Sequence, residues 1–373
     1  MRKFLCLILL GFIGCKEKYM PEINEASRNY LVVEGILNSG TGPTNIRISR
    51  TLRLVDTTKF KAETNAVVSV QGKDNSNFAL IHKGEGMYSA DQLNLNINQQ
   101  YRLLIKTADG KQYASDYVEV KQTPPIDSVT WKRSEKGVEI FVNSHDALNK
   151  TKYYKWEYDE TWETHSSVAA LYDYRNSRVV SIDPYVEKIV YCWKSAPSNQ
   201  LLLGSTAALS SDVIRQQPLT LIPAGNERLG VRYSIIIRQY ALTERAHEFY
   251  KLMKKNTEEL GSVFGPLPSE VRGNIQNTAD PEEMVIGFIS ASSAQEKRIF
   301  INSTEVPAWN FILACNTYRV ANNPDSIAYY FPYYRPYDAE TDAGGAVTAY
   351  FGITPLCADC RLRGGVNVKP AFW

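Results

Sequence analysis

Histidine is scarce in this chain, with four in 373 residues, which are His82, His145, His165 and His247. No two of them have the HxH or HxxxH spacing that is typical of a metal site. The sequence also lacks a GxSxG turn, a P-loop, a GxGxxG fingerprint and an EF-hand loop, the short motifs that mark several common chemistries. We therefore expect a protein that is not an enzyme and uses no metal or other cofactor.

The chain also has little net charge and no long apolar segment. The formal charge is +2, and removing residues 1–14 deletes Arg2 and Lys3 but no acidic residue, which leaves 40 basic and 40 acidic side chains. A neutral chain offers no global attraction to nucleic acid, so we expect no nucleic-acid partner. The apolar run at residues 4–13 is too short for a membrane-spanning helix, which needs about 20 residues.

The first fifteen residues have the pattern of a bacterial lipoprotein signal. A basic start precedes the short apolar run, and Gly14 stands directly before Cys15, where such signals are cut and the cysteine is lipidated. We predict a signal peptide at residues 1–14, a lipid anchor on Cys15 and a tether at residues 15–28. Each buried acyl CH₂ contributes about 0.8 kcal/mol, so several chains would hold the protein firmly at a membrane.

Four cysteines remain in the mature chain once the signal is removed and Cys15 is lipidated, and these are Cys192, Cys315, Cys357 and Cys360. An even number outside the cytoplasm suggests two structural disulfides, for which three pairings are open. Cys357 and Cys360 also form a CxxC pair, so a redox site or a zinc site is an alternative. Neither is favoured, because the pair lacks a strand-to-helix context and a second paired-ligand motif.

Short alternating segments dominate the first third of the chain. About seven of them lie between residues 29 and 123, separated by turns such as Asp109-Gly110, and this density is typical of a β-sandwich. Thr123-Pro124-Pro125 is the best domain boundary, because two prolines stiffen a linker and interrupt strand pairing. We predict one sandwich domain at residues 29–123 and a larger β-rich domain at residues 124–373.

The larger domain is predicted to contain several strands and one amphipathic helix. Tyr154, Trp156 and Tyr158 alternate with charged residues, as expected of a strand with one buried face. The helix begins after Thr243, a suitable N-cap, and ends at Gly261. Asp159, Glu160 and Glu163 follow the aromatic strand, but adjacent strand residues point to opposite faces, so a glycosidase pair is not expected.

The segment Tyr329-Tyr330-Phe331-Pro332-Tyr333-Tyr334-Arg335-Pro336-Tyr337 is unusually aromatic. Tyrosine and arginine are enriched where protein interfaces have their energetic centres, and aromatic rings also stack on sugars. A third explanation is that half of these rings close the core of the second domain. The candidate binding residues are Tyr329, Tyr330, Tyr333, Tyr334, Arg335 and Tyr337.

Several short motifs occur together in a recognisable order. They are Leu31-Val32-Val33-Glu34-Gly35, Gly42-Pro43, Pro125-Ile126-Asp127-Ser128, Tyr191-Cys192-Trp193, Gly273-Asn274-Ile275, Cys357-Ala358-Asp359-Cys360-Arg361, Gly364-Gly365 and Lys369-Pro370-Ala371-Phe372-Trp373. In this order the chain resembles the Bacteroidota lipoproteins catalogued as domain of unknown function 4249. The resemblance implies an immunoglobulin-like N-terminal sandwich, structural cysteines, no established enzymatic activity and an association with TonB-dependent outer-membrane transporters.

Three hypotheses for the function follow. The first is an outer-membrane lipoprotein that assists a TonB-dependent transporter in nutrient uptake, and the second is a lipoprotein that binds glycan or peptide cargo directly. The third, an extracytoplasmic hydrolase, would require carboxylates or a histidine to converge in one pocket. Lys16-Glu17-Lys18 resembles the charged tags that send such lipoproteins outwards, which slightly favours the cell-surface face over the periplasmic face.

Overall fold

The computed structural model describes residues 29–52, 60–258, 271–307, 309 and 311–373. The predicted signal peptide, the lipidation site Cys15 and the tether lie outside these described residues. Within them the chain is mainly β, as predicted from the alternating sequence pattern. No helix in these ranges has the length and apolar character that a membrane crossing requires.

The N-terminal region is built on a sheet that holds twelve of the described strands. Inward-pointing side chains such as Leu31, Ile46, Val70 and Leu103 form its continuous apolar core. Because these residues recur at alternate positions, strands such as β7 bury one face and leave the other more accessible. The first nine strands are β1 Leu31–Asn38, β2 Thr44–Arg50, β3 Lys61–Ala62, β4 Val67–Gly72, β5 Asn77–Gly84, β6 Met87–Ala90, β7 Gln100–Lys106, β8 Gln112–Ser115 and β9 Val118–Lys121.

A second apolar core lies between two further sheets. One has the order β15-β12-β18-β22 with β16 on β12, and the other has the order β10-β11-β17. Tyr154, Trp156 and Tyr158 point into this core from β12, as the alternation predicted. The strands that follow in chain order are β10 Ile126–Ser134, β11 Gly137–His145, β12 Tyr153–His165, β13 Tyr172–Arg175, β14 Arg178–Ser181, β15 Tyr191–Pro197, β16 Leu202–Ser205, β17 Val213–Pro223, β18 Arg232–Leu242, β19 Ile275–Asn277, β20 Val285–Ile286, β21 Ser290–Ser292 and β22 Gln295–Asn302.

Three of these later strands belong to the first sheet. β19 pairs with β8, β20 runs parallel to the start of β1, and β21 lies between β1 and β9, parallel to both. The predicted boundary at residue 123 places residues 275–292 in the second domain, whereas their hydrogen bonds join the first sheet. No local pattern signals this return, because each strand is only two or three residues long.

The segment predicted as a stiff linker is tied to both regions. The Thr123 backbone N–H donates to Ser293 Oγ over 2.9 Å, and the Ala241 N–H donates to Thr123 Oγ1 over 2.9 Å. Gln239 Nε2 donates to the Pro124 carbonyl over 2.8 Å. Thr123 is buried. These bonds satisfy a buried loop, so the two regions meet through a fixed junction rather than through a free hinge.

The predicted helix is present as α1, Glu244–Glu258. Thr243 acts at its start as expected, since its Oγ1 accepts a hydrogen bond from the Ala246 N–H over 3.2 Å. The predicted end at Gly261 lies outside the described residues. The inner face carries Phe249 and Tyr250, and it also carries the buried His247.

We expect the burial of His247 to make stability depend on pH. Burial lowers the pKa of its imidazole below the ordinary 6.5, while Glu248 and Lys251 act in opposite directions. The neutral ring therefore contributes fully above about pH 6.5, and this contribution is lost as the pH falls toward the depressed pKa. Urea unfolding at about pH 7.5 and about pH 5.5 measures the loss, which should be smaller in His247→Gln; an equal loss in both proteins would contradict the prediction.

The C-terminal region adds a small sheet in the order β23-β25-β24 and two helices that the sequence analysis did not predict. The sequence analysis predicted one helix, and the described residues contain three α-helices. Both additional helices begin with proline at a first-turn position, which suits a helix start. The elements are β23 Thr317–Ala321, α2 Pro324–Tyr330, β24 Arg335–Thr341, β25 Val347–Ile353 and α3 Pro355–Ala358.

The last two residues are fixed to the second region. The guanidinium of Arg298 lies 3.5 Å from the ring centroid of Phe372, and that of Arg232 lies 5.3 Å from the centroid of Trp373. Trp373 Nε1 also donates to Glu163 Oε2 over 3.1 Å. Cation–π contacts of this kind stabilise by about 0.5–2 kcal/mol, so the tail is held against the five-stranded sheet.

Candidate interaction surface

The tyrosine-rich segment folds as a helix and a turn before it enters β24. Asn323 caps α2, because its side-chain oxygen accepts a hydrogen bond from the Ser326 N–H over 2.9 Å. Pro324 occupies the start of the helix, where its missing N–H has no cost. The helix ends at Tyr330, and the N–H groups of Tyr333 and Tyr334 bond to the Tyr330 carbonyl. This local geometry turns successive tyrosines toward one side of the small sheet.

Five tyrosines form what we call the tyrosine patch, Tyr318, Tyr329, Tyr330, Tyr333 and Tyr334. The ring centroids of Tyr318 and Tyr334 are 4.3 Å apart, and those of Tyr329 and Tyr330 are 5.0 Å apart. Tyr330 connects the two pairs, at 6.2 Å from Tyr318 and 6.5 Å from Tyr334. A hydrogen bond with Tyr318 raises the pKa of the Tyr334 hydroxyl. The rings of Tyr318, Tyr329, Tyr330 and Tyr334 thus hold one another in place, and Tyr333 lies beside them in the sequence.

The patch combines ordered rings with large exposed faces. Tyr329 is 71% exposed and Tyr333 is 74% exposed, while Tyr318 is 36% exposed. A tyrosine has two rotatable side-chain bonds, so fixing it on a partner costs little conformational entropy for a large contact area. Its ring is apolar and its hydroxyl both donates and accepts hydrogen bonds. Chemically, the patch can bury aromatic surface against a partner and exchange hydrogen bonds with it through the hydroxyls.

Two of the predicted binding residues point away from this surface. The Arg335 side chain is 12% exposed and pairs with Asp173 Oδ2 at 3.3 Å and with Asp359 Oδ2 at 3.1 Å. Tyr337 packs on the cluster around Ile353 and Cys357. These contacts make Arg335 and Tyr337 structural, so the patch consists of tyrosines alone. Phe331, from the same segment, is buried as well.

The patch stands on a region held by two disulfides, as predicted. Cys192 is bonded to Cys360 and Cys315 to Cys357. The two cysteines of the CxxC motif therefore have different partners, whereas the cysteines of a redox-active CxxC motif form a disulfide with each other. Gly365 allows the first bond to lie close to the tail, because a Cβ there would come within 2.5 Å of Cys192 Cβ.

Asp359 links these disulfides to the small sheet. Its carboxylate is 2.7 Å from Arg361 Nη2 and 3.1 Å from Arg335 Nη1, and it accepts the Arg361 backbone N–H at 3.0 Å. Burial alone would raise the pKa of Asp359, but the bonds and charge of Arg361 keep it below its ordinary value. Because Arg335 also reaches Asp173 on β13, one ion cluster fixes β24 to the β13–β14 ribbon.

The histidines have separate neighbours. His145 pairs with Asp127, His165 pairs with Glu163 and His247 lies in the inner face of α1. His82 packs on the ring of Tyr88. Among the described residues there is no group of three or more His, Cys, Asp and Glu side chains placed to hold a metal ion.

The carboxylates after the aromatic strand separate as predicted. Asp159 pairs with Arg238 Nη1 at 2.6 Å on the outer face of β12. Glu160 is buried on the other face, where it accepts a hydrogen bond from the Tyr233 hydroxyl over 2.7 Å. Burial raises the pKa of Glu160, and its bonds to Tyr233 and Arg228 moderate the rise. The two side chains do not converge on one site.

One member of the patch was missed from sequence. Tyr318 precedes the tyrosine-rich segment by eleven positions and enters the patch because β23 pairs with β25, which also pairs with β24. The alternation of Tyr318 with the buried Val320 was a local signal for a strand. Its position beside Tyr334 depends on sheet pairing, which no local pattern specifies.

Comparison with known families defines the class of the protein. The model of a family described as a domain of unknown function, DUF4249, matches residues 16–298. That match spans well over half of the chain, so the chain belongs to this family. The match ends before Cys315, the tyrosine patch and the tail motifs.

The other comparisons add little. A search of curated proteins finds no match. Among solved structures, the crystal structure of a mutant Salmonella alpha-2-macroglobulin aligns with 87% of this chain and 17% of that chain, at 9% identity and a TM-score of 0.18. A similarity this weak carries no argument about the fold or the function.

Proposed function

We propose that this protein is a non-enzymatic outer-membrane lipoprotein that docks on a TonB-dependent transporter and assists nutrient uptake. The observation that carries the proposal is the tyrosine patch. Ring contacts order Tyr318, Tyr329, Tyr330 and Tyr334, while Tyr329 and the neighbouring Tyr333 present largely exposed rings. Interfaces concentrate their binding energy in such aromatic anchors. The signal pattern that ends at Cys15 and the family resemblance support the membrane address and the kind of partner.

In this proposal each region has a mechanical role. Residues 29–123 form an immunoglobulin-like sandwich, joined by strands β19 to β21, that spaces the larger domain from the lipid. The short antiparallel strands of this region support that description. Residues 124–373 present the patch, and the bonds around Thr123 would hold the two domains in one orientation. The anchor then confines the patch to the membrane, on the cell-surface face, where a transporter can meet it.

The experiment is recovery of partners from the native membrane. Outer membranes that contain the tagged, lipidated protein are solubilised in mild detergent, and the bound proteins are identified by mass spectrometry. The proposal predicts that a TonB-dependent transporter is enriched over a control membrane that carries an unrelated tagged lipoprotein. Recovery of the tagged protein with no transporter above that control would contradict it.

A second candidate function is direct binding of a glycan. The exposed rings of Tyr329 and Tyr333 favour it, because an exposed aromatic face can stack on a sugar ring. A glycan array tests this function with the wild-type protein and with Tyr333→Ala and Tyr334→Ala. Binding that both substitutions abolish would favour the glycan function, whereas no binding to any glycan would remove it.

A further inference from the structure

A cleft lies between the first sheet and the outer face of the five-stranded sheet, within the residues that the family model matches. Its volume is about 410 Å³, which is in the usual range of about 300–1,000 Å³ for small-molecule sites. β1 and Phe288 form one wall, β12 forms the floor, and α1 forms the other wall. Clefts at domain junctions are common positions for ligand sites.

Five charged side chains form a row on the floor and rim of the cleft. Lys155 Nζ is 2.7 Å from Glu157 Oε1. Arg238 Nη1 is 2.6 Å from Asp159 Oδ2, and its Nε is 2.7 Å from Glu296 Oε1. The row follows from strand pairing, because Glu157 lies opposite Arg238 on β18, which lies opposite Glu296 on β22. Across the three strands the charges of Glu157, Arg238 and Glu296 therefore alternate in sign. Lys155 and Asp159 flank Glu157 along β12.

Lys155 is unusual among these residues because it is buried. Its side chain is 10% exposed, and the ammonium also lies 4.6 Å from the ring centroid of Tyr250. Although burial disfavours the charge, the ring of Tyr250 and the carboxylate of Glu157 keep the pKa of Lys155 above its ordinary value. An ammonium has three N–H donors, and the hydrogen bond to Glu157 uses one. A charged lysine held at the base of a cleft is a candidate contact for a ligand.

The two ends of the cleft differ in character. Around Lys155 the walls are apolar, with Val33, Phe249, Met253 and Phe288 among the lining residues. Beyond Glu157 and Asp159 the cleft continues into a larger cavity of about 960 Å³. The residues Gly35, Glu157, Asp159 and Arg238 line both cavities. The charged row thus divides an apolar recess from a polar mouth.

We propose that this cleft binds a zwitterion with an apolar side chain, either a free amino acid or a dipeptide. Its carboxylate would accept hydrogen bonds from Lys155 and Arg238, and its ammonium would donate to Glu157 and Asp159. A purely anionic ligand is disfavoured, because the lining carries more carboxylates than cations. The apolar side chain would fill the recess beside Phe249 and Phe288. This inference goes beyond the proposed docking function and does not depend on it.

Isothermal titration calorimetry on the full mature chain tests the proposal. The probes are L-leucine, L-phenylalanine and leucyl-leucine, and the controls are isocaproate, isoamylamine and glucose. We expect at least one zwitterion to bind at least about tenfold more tightly than either singly charged control, and glucose not to bind. Tighter binding of leucine or phenylalanine would identify a free amino acid as the ligand, and tighter binding of leucyl-leucine would identify a dipeptide. Absence of heat with all three zwitterions, or equal affinity for isocaproate or isoamylamine, would overturn the proposal.

Two variants locate the binding in the cleft. Lys155→Met/Glu157→Gln removes both members of the buried pair together, so that no unpaired charge remains. Met253→Trp keeps the charges and fills the recess. Each should weaken binding at least about tenfold while circular dichroism shows a folded protein. Unchanged affinity in a folded variant of either kind would overturn the proposal. Tyr329→Ala/Tyr333→Ala should leave the affinity unchanged, which separates this site from the patch.

Discussion

Replacing Cys192 and Cys360 together by serine is expected to lower the free energy of unfolding by about 4–5 kcal/mol. The bond joins residues 168 positions apart, so it removes much of the entropy of the unfolded chain. In the folded protein both cysteines are fully buried, and the bond attaches β15 to the C-terminal tail. Urea unfolding followed by far-ultraviolet circular dichroism gives the difference between variant and wild type.

The second disulfide provides the matched control. Cys315 and Cys357 are 42 positions apart, so the double serine variant should lose less stability, about 3–4 kcal/mol. The order of the two losses is the informative result, because it follows from the length of chain that each bond closes. If the Cys315/Cys357 variant lost clearly more stability than the Cys192/Cys360 variant, the entropic explanation would be wrong.

Trp156→Ala is expected to destabilise the protein by about 4–5 kcal/mol. The indole is fully buried between the two sheets of the second region and stacks on Tyr154, with ring centroids 5.7 Å apart. Removing a buried tryptophan side chain typically costs about 3–5 kcal/mol. Trp156 Nε1 donates a hydrogen bond to Gln239 Oε1 over 2.8 Å. The substitution removes this donor, and the unsatisfied buried amide adds to the loss of stability.

Trp156→Phe separates packing from hydrogen bonding. It keeps an aromatic ring in the core, but it leaves Gln239 without this donor. A loss of about 2 kcal/mol is expected. Gln239 also donates to the Pro124 carbonyl, so the variant should loosen the domain junction. Unchanged hydrogen exchange of the Thr123 backbone N–H, which donates to Ser293 Oγ at this junction, would contradict the link.

The β-rich character of the fold was predictable because alternation is a local signal. Tyr154, Trp156 and Tyr158 lie on the buried face that their spacing indicated, and Thr243 caps the predicted helix. The return of β19 to β21 to the first sheet was not predictable. Strands of two or three residues carry no period, and their position depends on parallel pairing with β1.

The candidate surface was predictable in part. The density of tyrosines marked the segment, but sequence could not tell that Arg335 would turn inward to Asp173 and Asp359. It also gave no reason to separate Lys155 from an ordinary solvated strand face. Both outcomes depend on which element packs above each strand, and that is a property of the tertiary structure.

The most direct test of the central claim compares one double and one single tyrosine variant with wild type in membrane recovery. Tyr329→Ala/Tyr333→Ala removes the most exposed rings of the patch, whereas Tyr185→Ala removes an exposed tyrosine, 56% accessible, elsewhere on the surface. The account predicts that the patch variant recovers at least about tenfold less TonB-dependent transporter than wild type, with an unchanged melting temperature, and that Tyr185→Ala recovers as much as wild type. Equal recovery of the transporter by all three proteins would contradict it.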